Sequence, residues 1–214
     1  MPRSRILSRR RWAIAIAVIA VPAATAPTAL ATPPGIPSKA TAQSRLNALA
    51  VVAEGSMAGY SRELFAHWVA ISGTCNARET VLKRDGSGVN VDGACAPTSG
   101  TWFSQYDAVT VSSSSSVDID HVVPLAEAWR SGASGWSTST RQAFANDLSH
   151  PQLIAVTASS NRSKGDEDPS TWTPRTAYDC TYAKIWITSK HAWTLRLQST
   201  EKSALQGLLN GCAS

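Results

Sequence analysis

Apolar and polar positions alternate with two periods along this chain, and the changes of period mark its elements. Leu46, Leu49, Ala50 and Ala53 fall at helical spacing. A second helix is expected from Ser61, a suitable N-cap, through Leu64, Phe65, Trp68 and Val69. A third begins near Thr74, carries Arg78, Val81 and Leu82, and stops at Asp85-Gly86. Turn formers fill the stretch to Gly100. The β-branched and aromatic residues Trp102, Phe103, Tyr106, Val109 and Val111 then predict short strands. The serine run Ser112–Ser116 reads as a surface hairpin loop rather than a linker, because apolar positions resume at once with Val117 and Ile119. Further on, the pattern predicts a helix over Leu125–Arg130, another near Ser139–Asp147 and a strand at Gln152–Val156. A short helix from Ser159 or Ser160 to Gly165 follows, and the C-terminal third, with Ile185, Trp186, Leu205, Leu208 and Leu209, is mixed or helical. There is no internal repeat, so the expected architecture is one α+β domain.

The N-terminus changes the charge picture. Arg3, Arg5, Arg9, Arg10 and Arg11 precede the apolar run Trp12–Val21 and an Ala29-Leu30-Ala31 site, the layout of a secretory signal peptide over residues 1–31. The run is far shorter than the roughly 20 residues that span a bilayer, so no membrane association is expected after cleavage. Five of the 20 Lys and Arg lie in that segment, and the remaining 15 balance 15 Asp and Glu. Global basicity therefore says nothing about a nucleic-acid partner. Residues 32–44, rich in Pro, Ala, Ser and Thr, read as a flexible leader, with a single domain over 45–214. Export to an oxidising, extracellular destination favours two disulfides among Cys75, Cys95, Cys180 and Cys212. Of the three pairings, chain order suggests Cys75–Cys95 and Cys180–Cys212. No C-x-x-C or H-x-x-H spacing supports a zinc site.

The chemistry concentrates in two segments. In Asp118-Ile119-Asp120-His121-Val122-Val123-Pro124, strand alternation puts Asp118 and Asp120 on one face and Ile119 and His121 on the other. Asp120 offers a hard oxygen ligand and His121 a base that titrates near neutrality. The second segment, Asn161-Arg162-Ser163-Lys164-Gly165-Asp166, supplies an amide oxygen for a hard cation and two basic side chains for phosphate oxygens. Either segment alone is ordinary: a surface Asp beside a hydrogen-bonded His, or a polar helix ending in Lys-Gly. Their order is not, since strand with Asp-His, connection, strand and short helix with Asn is the layout of a ββα-metal finger.

On Asp120-His121-x-x-Pro124, the strand Gln152-Leu153-Ile154-Ala155-Val156 and Asn161-Arg162-Ser163-Lys164, the chain resembles the HNH endonuclease family. The variant resembled carries Asn as the third signature residue. The longer runs Asp120–Trp129 and Asn161–Trp172 are similar to secreted HNH proteins of actinobacteria, related to the C-terminal nuclease domains of modification-dependent restriction enzymes. A weaker similarity reaches back to Cys75–Glu79 and to Trp102-x-x-x-Tyr106-Asp107. The resemblance implies an α+β, disulfide-braced domain built around a ββα-metal core at about 117–168, with flanking helices. It implies His121 as general base and Asp120 and Asn161 as ligands of one divalent cation. Gln152 stands where the family usually has an Asn that braces the connection holding the base. It keeps the amide donor and acceptor but reaches one methylene further.

The function expected is a secreted endonuclease hydrolysing DNA phosphodiesters with little sequence specificity. With few protein ligands and no imidazole among them, Mg²⁺ is favoured and Mn²⁺ is a natural substitute. Arg162, Lys164 and Arg130 are expected to contact the nucleic-acid backbone, with Asp118, Glu127 and Gln152 supporting the site. His67, His150 and His191 are read as structural or loop residues. The rivals are an extracellular ribonuclease or nuclease of mixed sugar preference, and a non-catalytic secreted binding module with a decayed finger. The sequence leaves the oligomeric state open.

Overall fold

The computed structural model describes Met1 and residues 32–213; the export signal read from residues 1–31 therefore lies outside the described part, Met1 aside. Helix α1 (Lys39–Ala48) is capped by the Ser38 hydroxyl, which accepts from the Thr41 amide, and buries Ala42 and Leu46. It thus begins inside the stretch expected to be a flexible leader and ends before Ala53. Tertiary burial of one apolar face, rather than composition, decides its extent. The helix expected from Ser61 is absent: only a 3₁₀ turn, Arg62–Leu64, forms, and Trp68 takes a positive φ of 60°, which no helix accommodates.

Strands β1 (Ala70–Ser72) and β2 (Cys75–Asn76) form a small hairpin. Helix α2 (Ala77–Asp85) follows, its start fixed by a reciprocal capping box between Asn76 and Glu79. An antiparallel three-stranded sheet comes next in the order β3 (Gly86–Val91), β4 (Pro97–Phe103), β5 (Thr110–Val111). The serine run is a 3₁₀ turn leading from β5 to β6 (Val117–His121). Those two strands belong to different sheets, so it is not a hairpin loop. Disulfides Cys75–Cys95 and Cys180–Cys212 are both formed. The first ties β2 to the turn between β3 and β4, and the second ties α6 (Thr176–Ala192) to the residues just after α7 (Ser199–Asn210).

The part that positions the site runs from β6 to α5. Between β6 and its partner β7 (Leu153–Thr157) lie α3 (Leu125–Arg130) and α4 (Thr138–Ala145), and α5 (Ala158–Lys164) follows β7 directly. β6 and β7 pair antiparallel, with Asp118 opposite Val156, Asp120 opposite Ile154 and His121 opposite Leu153. One face therefore carries Asp118, Asp120, Ile154 and Val156. Ile154 and Val156 enter the main core with residues of α1, α3, α4, α6 (Thr176–Ala192) and α7 (Ser199–Asn210). The other face carries Val117, Ile119, Leu153 and Ala155, which pack on Val81, Leu82 and Trp102. Burial on both faces explains why β7 reads as a continuous apolar run.

Residues of α2 finish this sheet. The Arg84 guanidinium is bidentate on Asp85 and also donates to the Leu153 carbonyl at 2.6 Å, while fully buried Asp85 accepts from the Ala155 amide at 2.9 Å. Arg78 donates to the Val117 carbonyl at 3.1 Å.

Candidate active site

Helix α5 lies over the Asp118–Asp120 face. Its N-terminus is set by Thr157, whose hydroxyl accepts from the Ser160 amide. Asp107 accepts from the hydroxyls of Thr157 (2.5 Å) and Ser160 (2.7 Å). Gly165, at φ 53°, ends the helix. Two side chains reach from α5 to the strand. The Asn161 amide donates through Nδ2 to Asp118 at 3.1 Å, and Lys164 donates through Nζ to Asp120 Oδ1 at 2.8 Å and to the His121 carbonyl at 2.9 Å. The second Asp120 oxygen accepts from the Tyr106 hydroxyl at 2.7 Å. Burial raises the Asp120 carboxyl, and the Lys164 ammonium and the Tyr106 hydroxyl pull it back. Burial and the adjacent Asp120 charge hold the Tyr106 phenol well above its usual range, so it stays a donor.

His121 projects to the other side of the strand. Its Nε2 lies 2.8 Å from the Ala145 carbonyl at the end of α4. A carbonyl only accepts, so Nε2 carries the hydrogen and Nδ1 keeps the lone pair. The Trp68 indole stacks on the ring at 5.4 Å and 26°, and the His67 ring meets it edge-on at 6.0 Å. Burial lowers the His121 imidazole to about 3, against a counter-effect of the Ala145 bond; Arg62, His67 and Lys164 lower it further. The near-neutral titration expected from the sequence is thus displaced, because the ring is dry and faces cations rather than a carboxylate.

Both sides of the strand end open on one pocket of about 250 Å³, lined by Arg62, Asp120, His121, Pro124, Asn161 and Arg162, with Ile119, Leu125, Gly165 and Asp166 around them. Asp120, His121 and Asn161 are therefore brought together. Arg162 sits at the rim, with its side chain 78% exposed and 3.9 Å from Asp118, free to swing toward a ligand. Because Asn161 Nδ2 faces a carboxylate, its Oδ1 is the atom left to accept or to coordinate. With the remaining lone pairs of Asp120, that makes two hard oxygen donors for a cation. Among the described residues no group of three or more His, Cys, Asp or Glu side chains could hold a metal ion. This donor set fits a cation that keeps most of its water, as Mg²⁺ does, and not a closed protein cage.

Two expected phosphate contacts are corrected. Lys164 is fully buried and consumed by Asp120, so it orients the carboxylate instead of meeting a ligand. Arg130 is held by Glu54 at 2.7 Å, by Glu127 at 3.0 Å and by the Asp166 carbonyl at 2.9 Å, and it does not line the pocket. Glu127, within α3, is buried and bound to Lys190 at 2.7 Å and to the Ser131 hydroxyl; Lys190 in turn meets Glu201 at 2.6 Å. This network anchors α3 to α6 and α7. Gln152 is fully buried and pairs with the backbone of Val123, just past the His121 turn. His150 is a half-exposed loop residue on Asp147. The sequence reading missed Arg62, Trp68 and the site role of His67, all in the stretch taken for a helix. Tyr106 carried a signal only through its spacing from Asp107 and Trp102.

A strand pair and a helix thus bring a carboxylate, an imidazole and an amide to one pocket. Residues 98–208 match the C-terminal domain of GmrSD restriction endonucleases, more than half of the chain, and the protein belongs to that family. It is also 56% identical over 199 residues to an uncharacterised secreted protein of Arthroderma benhamiae, an alignment covering 92% of this chain and 95% of that one. The protein is secreted, in keeping with its two disulfides, and no described helix is long and apolar enough to cross a membrane. No solved structure matches it. The family match includes Tyr106, Asp120, His121, Asn161 and Lys164 and leaves Arg62, His67 and Trp68 outside.

Proposed function

We propose that the protein is an HNH-type endonuclease that hydrolyses DNA phosphodiester bonds with the aid of one divalent cation and with little sequence preference. The observation that carries this reading is the shared pocket: His121, Asp120 and Asn161 line one space, and the Ala145 bond at Nε2 leaves Nδ1 as the basic nitrogen of the imidazole. A phosphodiester resists hydrolysis because its anionic oxygens repel the nucleophile and the 3′ alkoxide leaves poorly. In this reading His121 Nδ1 takes the proton of the attacking water. Its neutral form is secured in advance by burial, and its ring plane is fixed by Trp68 and the Ala145 carbonyl. As the imidazolium forms, the Nε2–H bond to Ala145 strengthens. Asp120 and Asn161 would hold the cation, which would supply Lewis-acid stabilisation of charge on the phosphate and the leaving oxygen. Lys164 and Tyr106 fix the Asp120 carboxylate, and Arg162 is placed to contact a backbone phosphate.

The pocket lining supports backbone recognition. Arg62 and Arg162 flank Asp120 and Asn161 there, a provision for phosphate oxygens, and phosphate contacts carry no sequence information. The decisive experiment incubates plasmid DNA and RNA separately with the secreted protein, with Mg²⁺, with Mn²⁺ or with EDTA. Cation-dependent plasmid nicking is expected. Cleavage of RNA alone would transfer the proposal to a ribonuclease, and a folded protein that binds DNA without cutting it under any cation would leave a binding module.

A further inference from the structure

We infer that Arg62, which lies outside the family-matched region, binds the scissile phosphate, so that the segment around residues 60–69 completes the active site. The inference rests on the nuclease reading and adds to it a residue supplied by the N-terminal part of the chain.

Two observations carry it. Arg62 lines the same pocket as Asp120, His121 and Asn161, and its guanidinium has no ion-pair or side-chain hydrogen-bond partner among the described residues. The other arginines with structural tasks are engaged: Arg78 and Arg84 on strand carbonyls, Arg130 on two glutamates, Arg141 on loop carbonyls and Arg175 on the Gln105 carbonyl. An unpaired guanidinium facing a site that holds an anion is the usual provision for bidentate phosphate recognition.

The second observation is that the backbone bearing Arg62 is rigid although its side chain is exposed. The 3₁₀ turn Arg62–Leu64 leads into Phe65, fully buried among Tyr60, Trp129 and Phe144. Arg141 donates to the Leu64 carbonyl at 3.3 Å. Asn146 donates to the Ala66 carbonyl at 2.8 Å and accepts from the Val69 amide at 3.1 Å. The same end of α4 supplies the Ala145 carbonyl that holds His121. One element thus sets the position of both the proposed base and the segment carrying Arg62. The segment also delivers Trp68, whose positive φ turns its indole onto the imidazole.

The test separates binding from cleavage. In a His121→Ala background, affinity for a short duplex oligonucleotide is measured across a series of NaCl concentrations. Each phosphate contact contributes about 0.9 to the slope of log K against log salt. Arg62→Ala should therefore lower that slope by about one contact and weaken binding at moderate salt. Arg62→Lys, which retains the charge, should restore the slope, and Lys202→Ala on α7 should leave it unchanged. In the His121 wild-type background, Arg62→Ala should also reduce plasmid nicking. An unchanged slope in Arg62→Ala, with binding by the parent intact, would overturn the assignment and leave the nuclease reading standing. A folded His121→Ala parent that binds no nucleic acid would overturn both.

Discussion

Gln152 closes a double hydrogen bond on the backbone of Val123: its Nε2 donates to the Val123 carbonyl at 2.7 Å and its Oε1 accepts from the Val123 amide at 3.2 Å. The two residues lie on opposite sides of the long insertion between β6 and β7. The amide thus pins the chain as it leaves His121, a second tie beside the main-chain bond from Val122 to the Gln152 carbonyl. The Gln side chain is long enough to make both bonds at once.

Removing that pair leaves a buried donor and a buried acceptor unsatisfied. Gln152→Ala should cost about 1–3 kcal/mol per stranded group in stability, read from urea denaturation. Nicking should fall further than the unfolded fraction explains, since the turn holding His121 loosens. Wild-type stability and rate together would show that Val123 needs no brace.

Lys164 and Arg162 should separate cleanly. Lys164→Met strands a buried carboxylate, and breaking a buried ion pair in this way costs on the order of 3–5 kcal/mol. Arg162→Ala removes a side chain that is 78% exposed and should leave the melting temperature unchanged while weakening DNA binding. If Lys164→Met melted like the wild type, the orienting role given to Lys164 would be lost.

His121→Ala should fold, because the ring's partners are the half-buried Trp68 and His67 rings and a single carbonyl, that of Ala145, and cleavage should fall by about 10²–10⁴-fold. Circular dichroism and single-turnover nicking on one preparation check both halves. A folded variant that still cuts at the normal rate would remove the imidazole from the mechanism.

A stability change with pH is expected from the Glu127–Lys190–Glu201 network. Burial, with Glu127 adding its charge and Lys190 opposing, raises the Glu201 carboxyl to about 7. Lys190 is shared between the two glutamates, so the proton belongs to the set. In the unfolded chain this carboxyl titrates near 4.5. Between those values the folded state holds a proton that the unfolded chain has released. The contribution is complete below pH 4.5 and is lost as pH rises through 7, at a limiting slope of about 1.4 kcal/mol per pH unit. Glu201→Gln keeps an oxygen for the Trp186 indole, which now donates to Oε1 at 2.6 Å, and should flatten the profile in denaturation series across this window.

The chemistry-bearing core was legible in the sequence because its logic is local. Strand alternation sorts Asp118 and Asp120 from Ile119 and His121, and a short helix after an apolar run places Asn161. Long-range partners were not legible. A lysine in the last turn of a helix is ordinarily solvated, and nothing near Lys164 announces Asp120, 44 residues away. Apolar spacing at Leu64, Phe65 and Trp68 imitates a helix, whereas Phe65 is a single anchor and the ties from Arg141 and Asn146 impose an irregular path. The start of α1 was obscured by leader-like composition, since Ala42 and Leu46 gain their burial from helices far along the chain.

The Arg84–Asp85 pair on the outer side of β7 has a consequence for the molecule in solution. A two-stranded sheet offers its unpaired rim to any extended peptide of matching register. Here a guanidinium caps one carbonyl of that rim and a carboxylate caps one amide, so an incoming strand meets side chains where it would need main-chain partners. For an exported protein this is protection against templated self-association. Asp85→Ala should strand the Ala155 amide and the Arg84 guanidinium, and show as a lowered denaturation midpoint together with concentration-dependent aggregation.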